Sequence, residues 1–405
     1  MGGGPESPER QNGEQELELL VTLPLPEMPA QVDILKRKFP SISKVTWVTA
    51  SKLADAEDKI REAWKTATFV VTLGIVPEKK EDVPKLRLLH IFSAGIDHLN
   101  DKPLLTSPSL SSIAVTTSSG IHGPPITEWV LSSLLALTRE TFTVHHWQRE
   151  HKWGDNKQIF HKMSDWAGKT IGIAGYGSIG RQVARALVGL GVKVHAYTSR
   201  ARKTSEARRD GGWIVGEKQG WGLGDREGTL PVAWYSEEDG QGGGEKNKKA
   251  GLHTFLRSGL SAVVVSLPLT TATTGLFGKE EFEILRDGVK AATAAQPDVT
   301  KPEIDAAGCY FVNIARGKMV EQDALIEALN TGVLKGAALD VTEPEPLGEN
   351  SKLWDAKNTI VSPHISGLGR EYAGRSLEIV VENIGRLLGG ASGGLVNEVT
   401  RGRGY

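Results

Sequence analysis

The sequence predicts an α/β protein built from two doubly wound parallel sheets. Three observations carry that expectation. The chain has 405 residues, room for two domains at roughly 150 residues each. Strand-like and helix-like stretches alternate along it in two series, the pattern of βαβ units and parallel sheets. A glycine fingerprint opens the second series where a strand turns into a helix.

The first series begins near residue 16. ELLVTLPL reads as a strand and Gln31 to Phe39 as a helix. KVTWVTA is a strand, Ser51 to Trp64 a helix, and TFVVTL, LRLLHIFSAG and IAVTTSSG are further strands. A long helix follows from about Ile126, started by Pro124-Pro125, since proline suits a first helical turn. After Trp166 come TIGIAG, VKVHAY, SAVVVSL, CYFVNI, GAALDV and TIVSPH as strands. A closing helix from Glu371 to Leu388 places Leu377, Val380, Val381, Ile384, Leu387 and Leu388 on one face.

Two stretches are too long for compact α/β connections. Residues 201–252 are rich in glycine and charge, and 289–307 form an Ala/Thr/Pro segment, so both read as flexible, solvent-exposed inserts. Residues 1–15 read as a disordered leader, with neither the apolar region of a secretory signal nor an Arg-rich amphipathic pattern.

Lys+Arg is 48 and Asp+Glu 49, for a net charge of -1. That balance excludes the basic surplus of a nucleic-acid or anionic-membrane binder. No apolar stretch approaches the ~20 residues of a membrane span. The one cysteine, Cys309, excludes an intramolecular disulfide and a thiolate metal cluster, and no metal is expected. A reducing, cytoplasmic setting fits.

Residues 171–200 read IGIAGYGSIGRQVARALVGLGVKVHAYTSR, with Gly175, Gly177 and Gly180 in GxGxxG spacing. The first glycine permits a tight turn, the second lets backbone approach a pyrophosphate, and the third lets helix pack on strand. Ser178 and Ile179 open the helix, whose free N–H groups and positive dipole end favour phosphates. Val183, Leu187 and Val188 are expected to face inward. At the end of the second strand, where a carboxylate would bind a ribose 2′-OH, stand Thr198, Ser199 and Arg200, then Arg202 and Lys203. Guanidinium groups pair with a 2′-phosphate, so NADP is favoured over NAD; solvated charges beside an insert are the alternative.

The fingerprint is followed by VVVSLPLTTATTGL, VNIARGKMVEQDAL, GAALDVTEPEPL and TIVSPHISG, and preceded by SAGIDHL. In this order the segments resemble the D-isomer-specific 2-hydroxyacid dehydrogenases, glyoxylate/hydroxypyruvate reductase-like. The resemblance covers nearly all of the chain outside the leader and the two inserts. It implies a Rossmann dinucleotide domain, 141–365, inserted into a flavodoxin-like substrate domain, 16–140 plus 366–405. A cleft would lie between them, with two crossing helices as hinge.

The resemblance also assigns catalytic roles to Arg316, Glu345 and His364, with Glu343 the less favoured carboxylate. Ala94, Gly95 and Ile96 would surround the substrate carboxylate. Leu267, Pro268 and Thr273, then Ile314 and Ala315, would line the cofactor, and Asp340 would accept a hydrogen bond from the nicotinamide carboxamide; a capping role for Asp340 is the alternative. The chemistry supports the trio independently. Reducing a 2-keto acid takes a hydride to carbon and a proton to oxygen, and histidine is the side chain that titrates nearest neutral pH. A carboxylate orients such a ring, and an arginine can fork onto the substrate acid and carbonyl.

The expected reaction is 2-keto acid + NAD(P)H + H⁺ to D-2-hydroxy acid + NAD(P)⁺, on a small substrate such as glyoxylate or hydroxypyruvate, in a homodimer. A dinucleotide-sensing regulatory protein, like co-repressors that share this fold, is the alternative function. Trp147 and Trp153 are expected in core packing, with the edge of the substrate pocket or a dimer contact as the alternative.

Overall fold

A computed structural model describes residues 16–99, 101–106, 112–240, 249–295, 308–390 and 394–399. The expected leader, 1–15, lies outside them. The chain divides into two compact units, residues 1–118 with 373–405, and residues 119–372.

The first unit carries β1 (Leu17–Leu23), α1 (Pro29–Lys38), β2 (Ile42–Thr49), α2 (Glu57–Trp64), β3 (Phe69–Thr72), β4 (Leu88–Ile91), α3 (Pro103–Thr106) and β5 (Ala114–Thr117). The strands run parallel in the order β2-β1-β3-β4-β5, the flavodoxin-like arrangement. Strands β3 and β4 are buried at every position, as expected of a parallel sheet covered on both faces. Leu20, Val70, Leu89 and Ile91 meet Ile60 and Trp64 of α2 in one core cluster.

The second unit carries α4 (Gly123–Thr138), α5 (Thr141–Arg149), α6 (Lys157–Phe160), β6 (Thr170–Ala174), α7 (Ser178–Gly189), β7 (Lys193–Thr198), α8 (Ser205–Arg208), β8 (Pro231–Ser236), α9 (Ala250–Leu256), β9 (Ala262–Val265), α10 (Lys279–Ala295), β10 (Cys309–Asn313), α11 (Gln322–Asn330), β11 (Leu334–Leu339) and β12 (Thr359–Val361). α12 (Tyr372–Gly389) then rejoins the first unit. All seven strands are parallel, in the order β12-β11-β10-β9-β6-β7-β8. Strand order reverses beside β6, which makes the carboxyl ends of β6 and β9 the switch point where such sheets bind ligands.

Three expectations change. The units meet at residues 118 and 372, not at 140 and 365, because α4 packs with the second unit: Ile126, Val130, Leu134 and Leu137 share a core with Ile171, Val183 and Leu187. Residues 201–252 are not an insert outside the fold, since they supply β8, which pairs with β7 from Pro231 to Ser236, and the start of α9. Their glycine and charge hid a Val-Ala-Trp-Tyr strand. Residues 289–295 belong to α10; 241–248 and 296–307 lie outside the described residues. Third, Val188 is exposed, while Arg181 and Gln182 of α7 are buried. Residues 204–230 cover that face of the helix.

Trp153 is likewise fully exposed rather than in a core, and Trp147 lies against Gly154, where a Cβ would fall 2.0 Å from the indole.

Candidate active site

The fingerprint glycines occupy the positions their chemistry requires. Gly175 has φ +103° and its Cβ would meet the Ser266–Leu267 backbone at 2.6 Å, so both backbone freedom and close approach demand glycine there. Gly180 would place a Cβ 2.2 Å from the Gly175 carbonyl oxygen, which seats α7 against the turn. Gly177 is exposed, and a Cβ there would meet nothing within 4 Å. That open space stands before the first amides of α7, those of Ser178 and Ile179, with no side-chain cap taking them. The residues present therefore fit a dinucleotide pyrophosphate.

At the end of β7, Thr198 is buried and donates its hydroxyl to the Arg200 carbonyl at 2.7 Å. Ser199 and Arg200 are exposed, and the Arg200 side chain makes no hydrogen bond or ion pair among the described residues. Arg202 is committed elsewhere, donating to the Ala207 carbonyl at 2.5 Å. Leu267 is buried and Pro268 exposed, in a loop that Thr273 ties together by donating to the Pro268 carbonyl at 2.8 Å and accepting from the Thr270 amide at 2.8 Å.

The three candidate catalytic residues follow three adjacent strands at the same end of the sheet: Arg316 after β10, Glu345 after β11 and His364 after β12. His364 Nδ1 lies 2.6 Å from Glu345 Oε1, which selects Glu345 over Glu343. Both side chains are partly open to solvent. With Nδ1 engaged, Nε2 is the nitrogen left to face a reactant.

Asp340, buried at the end of β11, organises the loop that carries this histidine. Its Oδ1 accepts from Ser362 Oγ at 2.5 Å and from the Ile365 amide at 2.8 Å, and its Oδ2 accepts from the Ser366 amide at 2.9 Å. The His364 amide donates to the Asp340 carbonyl at 2.9 Å. An ionised carboxylate has about four acceptor sites, so one on Oδ2 remains.

Arg316 sits in a turn held by a residue that motif reading passed over. Asn313, 1% exposed, donates to the Arg316 carbonyl at 3.0 Å and accepts from the Ala315 amide at 3.0 Å. Ile314 and Ala315 are buried beside it. Gly317 has no room for a side chain: a Cβ would lie 2.0 Å from the Thr342 carbonyl oxygen, so the arginine turn presses directly on the segment leading to Glu345.

In the first unit, Ala94, Gly95 and Ile96 follow β4. The Ser93 hydroxyl donates to the Gly95 carbonyl at 2.7 Å. The amides of all three make no hydrogen bond among the described residues, as an anion-binding turn requires. His90, deeper in the same strand, is wholly buried between Thr116 Oγ1 at 2.9 Å and Ser118 Oγ at 3.0 Å. Burial pushes its pKa down to about 3, so it is a neutral core residue.

His253 and Glu281 pair at 2.9 Å, and Glu280 is near enough to complete a cation site; the Lys249 ammonium already stands 3.0 Å from Glu281.

The family model described as D-isomer specific 2-hydroxyacid dehydrogenase, NAD binding domain, matches residues 131–215 and 230–366, more than half of the chain. The chain is similar to the glyoxylate reductase of Korarchaeum cryptofilum, 27% identical over 319 residues, covering 78% of this chain and 77% of the relative. It is similar to that of Thermococcus kodakarensis, 28% identical over 330 residues, covering 80% of each. Among solved structures, it resembles an NADPH-dependent glyoxylate/hydroxypyruvate reductase from Sinorhizobium meliloti, in complex with NADP and sulfate. There the TM-score is 0.65 at 25% identity, covering 96% of this chain and all of that one.

Proposed function

This chain belongs to the D-isomer-specific 2-hydroxyacid dehydrogenase family, and we propose that it reduces glyoxylate or hydroxypyruvate with NADPH. It is an NAD(P)-dependent oxidoreductase that turns a 2-keto acid into a D-2-hydroxy acid. The observation that carries the mechanistic reading is the His364–Glu345 pair at 2.6 Å.

Bound NAD(P)H supplies the hydride. His364 delivers the proton from Nε2 to the carbonyl oxygen while Glu345 holds the ring through Nδ1. Arg316 forks onto the substrate carboxylate and carbonyl, and so favours charge developing on oxygen. In the first unit, Ala94, Gly95 and Ile96 would serve a carboxylate through their amides, as the resemblance implies. Gly175, Gly177, Ser178, Ile179 and Gly180 take the pyrophosphate. Leu267, Pro268, Thr273, Ile314 and Ala315 would line the rest of the dinucleotide, and Asp340 would accept a hydrogen bond from its carboxamide.

The NADPH preference rests on the exposed Ser199 and Arg200, and on the similar Sinorhizobium structure, which is in complex with NADP. Initial rates with NADH and NADPH over a panel of 2-keto acids test the reading. Glyoxylate or hydroxypyruvate with NADPH is expected to give the highest kcat/KM, and no turnover of any 2-keto acid would overturn it.

The assembly we propose is a homodimer. Arg139 and Asp165 pair at 3.1 Å and close a mostly exposed segment, residues 139–165. Within it four large apolar side chains, Phe142, Val144, Trp153 and Phe160, are exposed, the kind of side chain that an interface between copies would cover. Light scattering is expected to give twice the chain mass for the wild type and the single chain mass for Trp153→Ser/Phe160→Ser; a monomeric wild type would refute it. A reducing, cytoplasmic location suits the lone Cys309, which is buried. Among the described residues no helix is long and apolar enough to cross a membrane.

A further inference from the structure

The family match stops at residue 215 and resumes at 230, so residues 216–229 of the dinucleotide unit lie outside it. Asp225 stands inside that stretch and is 2% exposed. Its Oδ1 accepts from the Thr229 amide at 3.0 Å and its Oδ2 from the Leu230 amide at 3.2 Å, which brings the chain into β8. The same Oδ2 accepts from the Tyr176 hydroxyl at 2.8 Å. Tyr176 is the residue between the first two fingerprint glycines. The carbonyl of Asp225 accepts from Arg181 at 2.5 Å, and Arg181 is in the first turns of α7.

Arg181 is 2% exposed. A cation so buried is costly unless its hydrogen-bonding groups are met. Here it also donates to the Arg208 carbonyl at 2.7 Å, pairs with Asp210 at 3.5 Å and lies 5.0 Å from the Tyr176 ring centroid. The neighbouring Gly224 is gripped from both sides, by Gln182, which accepts from its amide at 2.6 Å, and by Arg185, which donates to its carbonyl. Tyr176 in turn packs edge-on against Trp234 of β8 at 5.0 Å. Thus the phosphate-facing turn and the approach to the edge strand are joined through the Asp225 carboxylate, and the helix behind them through its backbone carbonyl.

We infer that Asp225 is a positioning residue for dinucleotide binding, acting through Tyr176 and Arg181 to hold the Gly175–Gly177 turn and the start of α7 in the shape that receives a pyrophosphate. The inference rests on the dinucleotide reading above. Aligned backbone donors bind phosphate well only when held in place before it arrives, and the segment 216–229 supplies that restraint from behind.

The test is NADPH affinity and steady-state kinetics of Tyr176→Phe, which removes only the hydroxyl donor, and Asp225→Asn, which keeps the volume. Each is compared with wild type well below its own Tm. Expected is a rise of about three- to tenfold in both KM and Kd for NADPH, with kcat and the KM for glyoxylate within about twofold. Should Asp225→Asn fail to fold, Tyr176→Phe decides alone. Wild-type NADPH affinity in folded variants would overturn the inference, as would a parallel loss of kcat and glyoxylate affinity, which marks general loosening. If the wild type binds neither NADPH nor NADH, the dinucleotide reading itself falls and takes this inference with it.

Discussion

His364 adopts φ +55°, a left-handed conformation that costs a residue other than glycine of order 1 kcal/mol or more. The surrounding bonds hold it there: Asp340 takes the amides on the C-terminal side of His364 and the Ser362 hydroxyl before it. The strain thus points the ring at Glu345 instead of letting it follow the chain. Arg200 is the opposite case, an exposed side chain held only through its carbonyl. Its role is electrostatic, and its removal should spare the fold. Arg200→Ala is expected to raise the KM for NADPH about tenfold or more, on the scale of a charge-assisted hydrogen bond, while the KM for NADH moves little. Equal effects on both cofactors would remove the 2′-phosphate argument.

Short elements decide how the site is spaced. Two turns, 313–317 and 340–346, press together where Gly317 meets Thr342, so the arginine and glutamate segments cannot shift independently. Gly317→Ala is expected to lower the Tm by several degrees and to cut kcat/KM at least tenfold, because a Cβ 2.0 Å from a carbonyl oxygen must displace backbone. Circular dichroism melts and initial rates check it, and a variant indistinguishable from wild type would show that the turns are not coupled.

The same turns explain what could be read in advance. Arg-Gly after a strand, Glu between prolines and Pro-His after a strand are local patterns, so motif order singled out three residues that follow adjacent strands. The strand β8 was hidden because its edge position leaves Val232 exposed and its flanks are glycine and acid. The link between Asp225 and Arg181, 44 positions apart, has no local signature at all. Covering α7 from outside also moved its buried face from Val188 to Arg181 and Gln182, which helical periodicity alone does not foresee.

At the scale of the molecule, each unit has its own core, and that of the first makes it sensitive to acid. His90 is held neutral in the first unit, with its pKa lowered from 6.5 to about 3. Between those values the unfolded chain binds the proton and the folded one does not, so stability falls as pH drops below 6.5. From pH 7 to 5 the loss from this group is about 2 kcal/mol, at roughly 1.4 kcal/mol per pH unit. Urea midpoints of wild type and His90→Asn at the two pH values check it: the variant is expected to show the shallower dependence, and parallel curves would contradict the assignment.

In the second unit the glycine fingerprint and Arg200 follow β6 and β7, whereas the proton donor follows β12 at the far edge of the sheet. Reaction and cofactor binding should therefore separate under a single substitution. The most direct measurement is turnover and NADPH affinity of one preparation of His364→Ala. The expected result is a fall in kcat of about 10² to 10⁴, the usual contribution of a positioned general acid, with NADPH affinity within threefold of wild type. Near-normal turnover would contradict the account, and so would cofactor affinity lost along with activity.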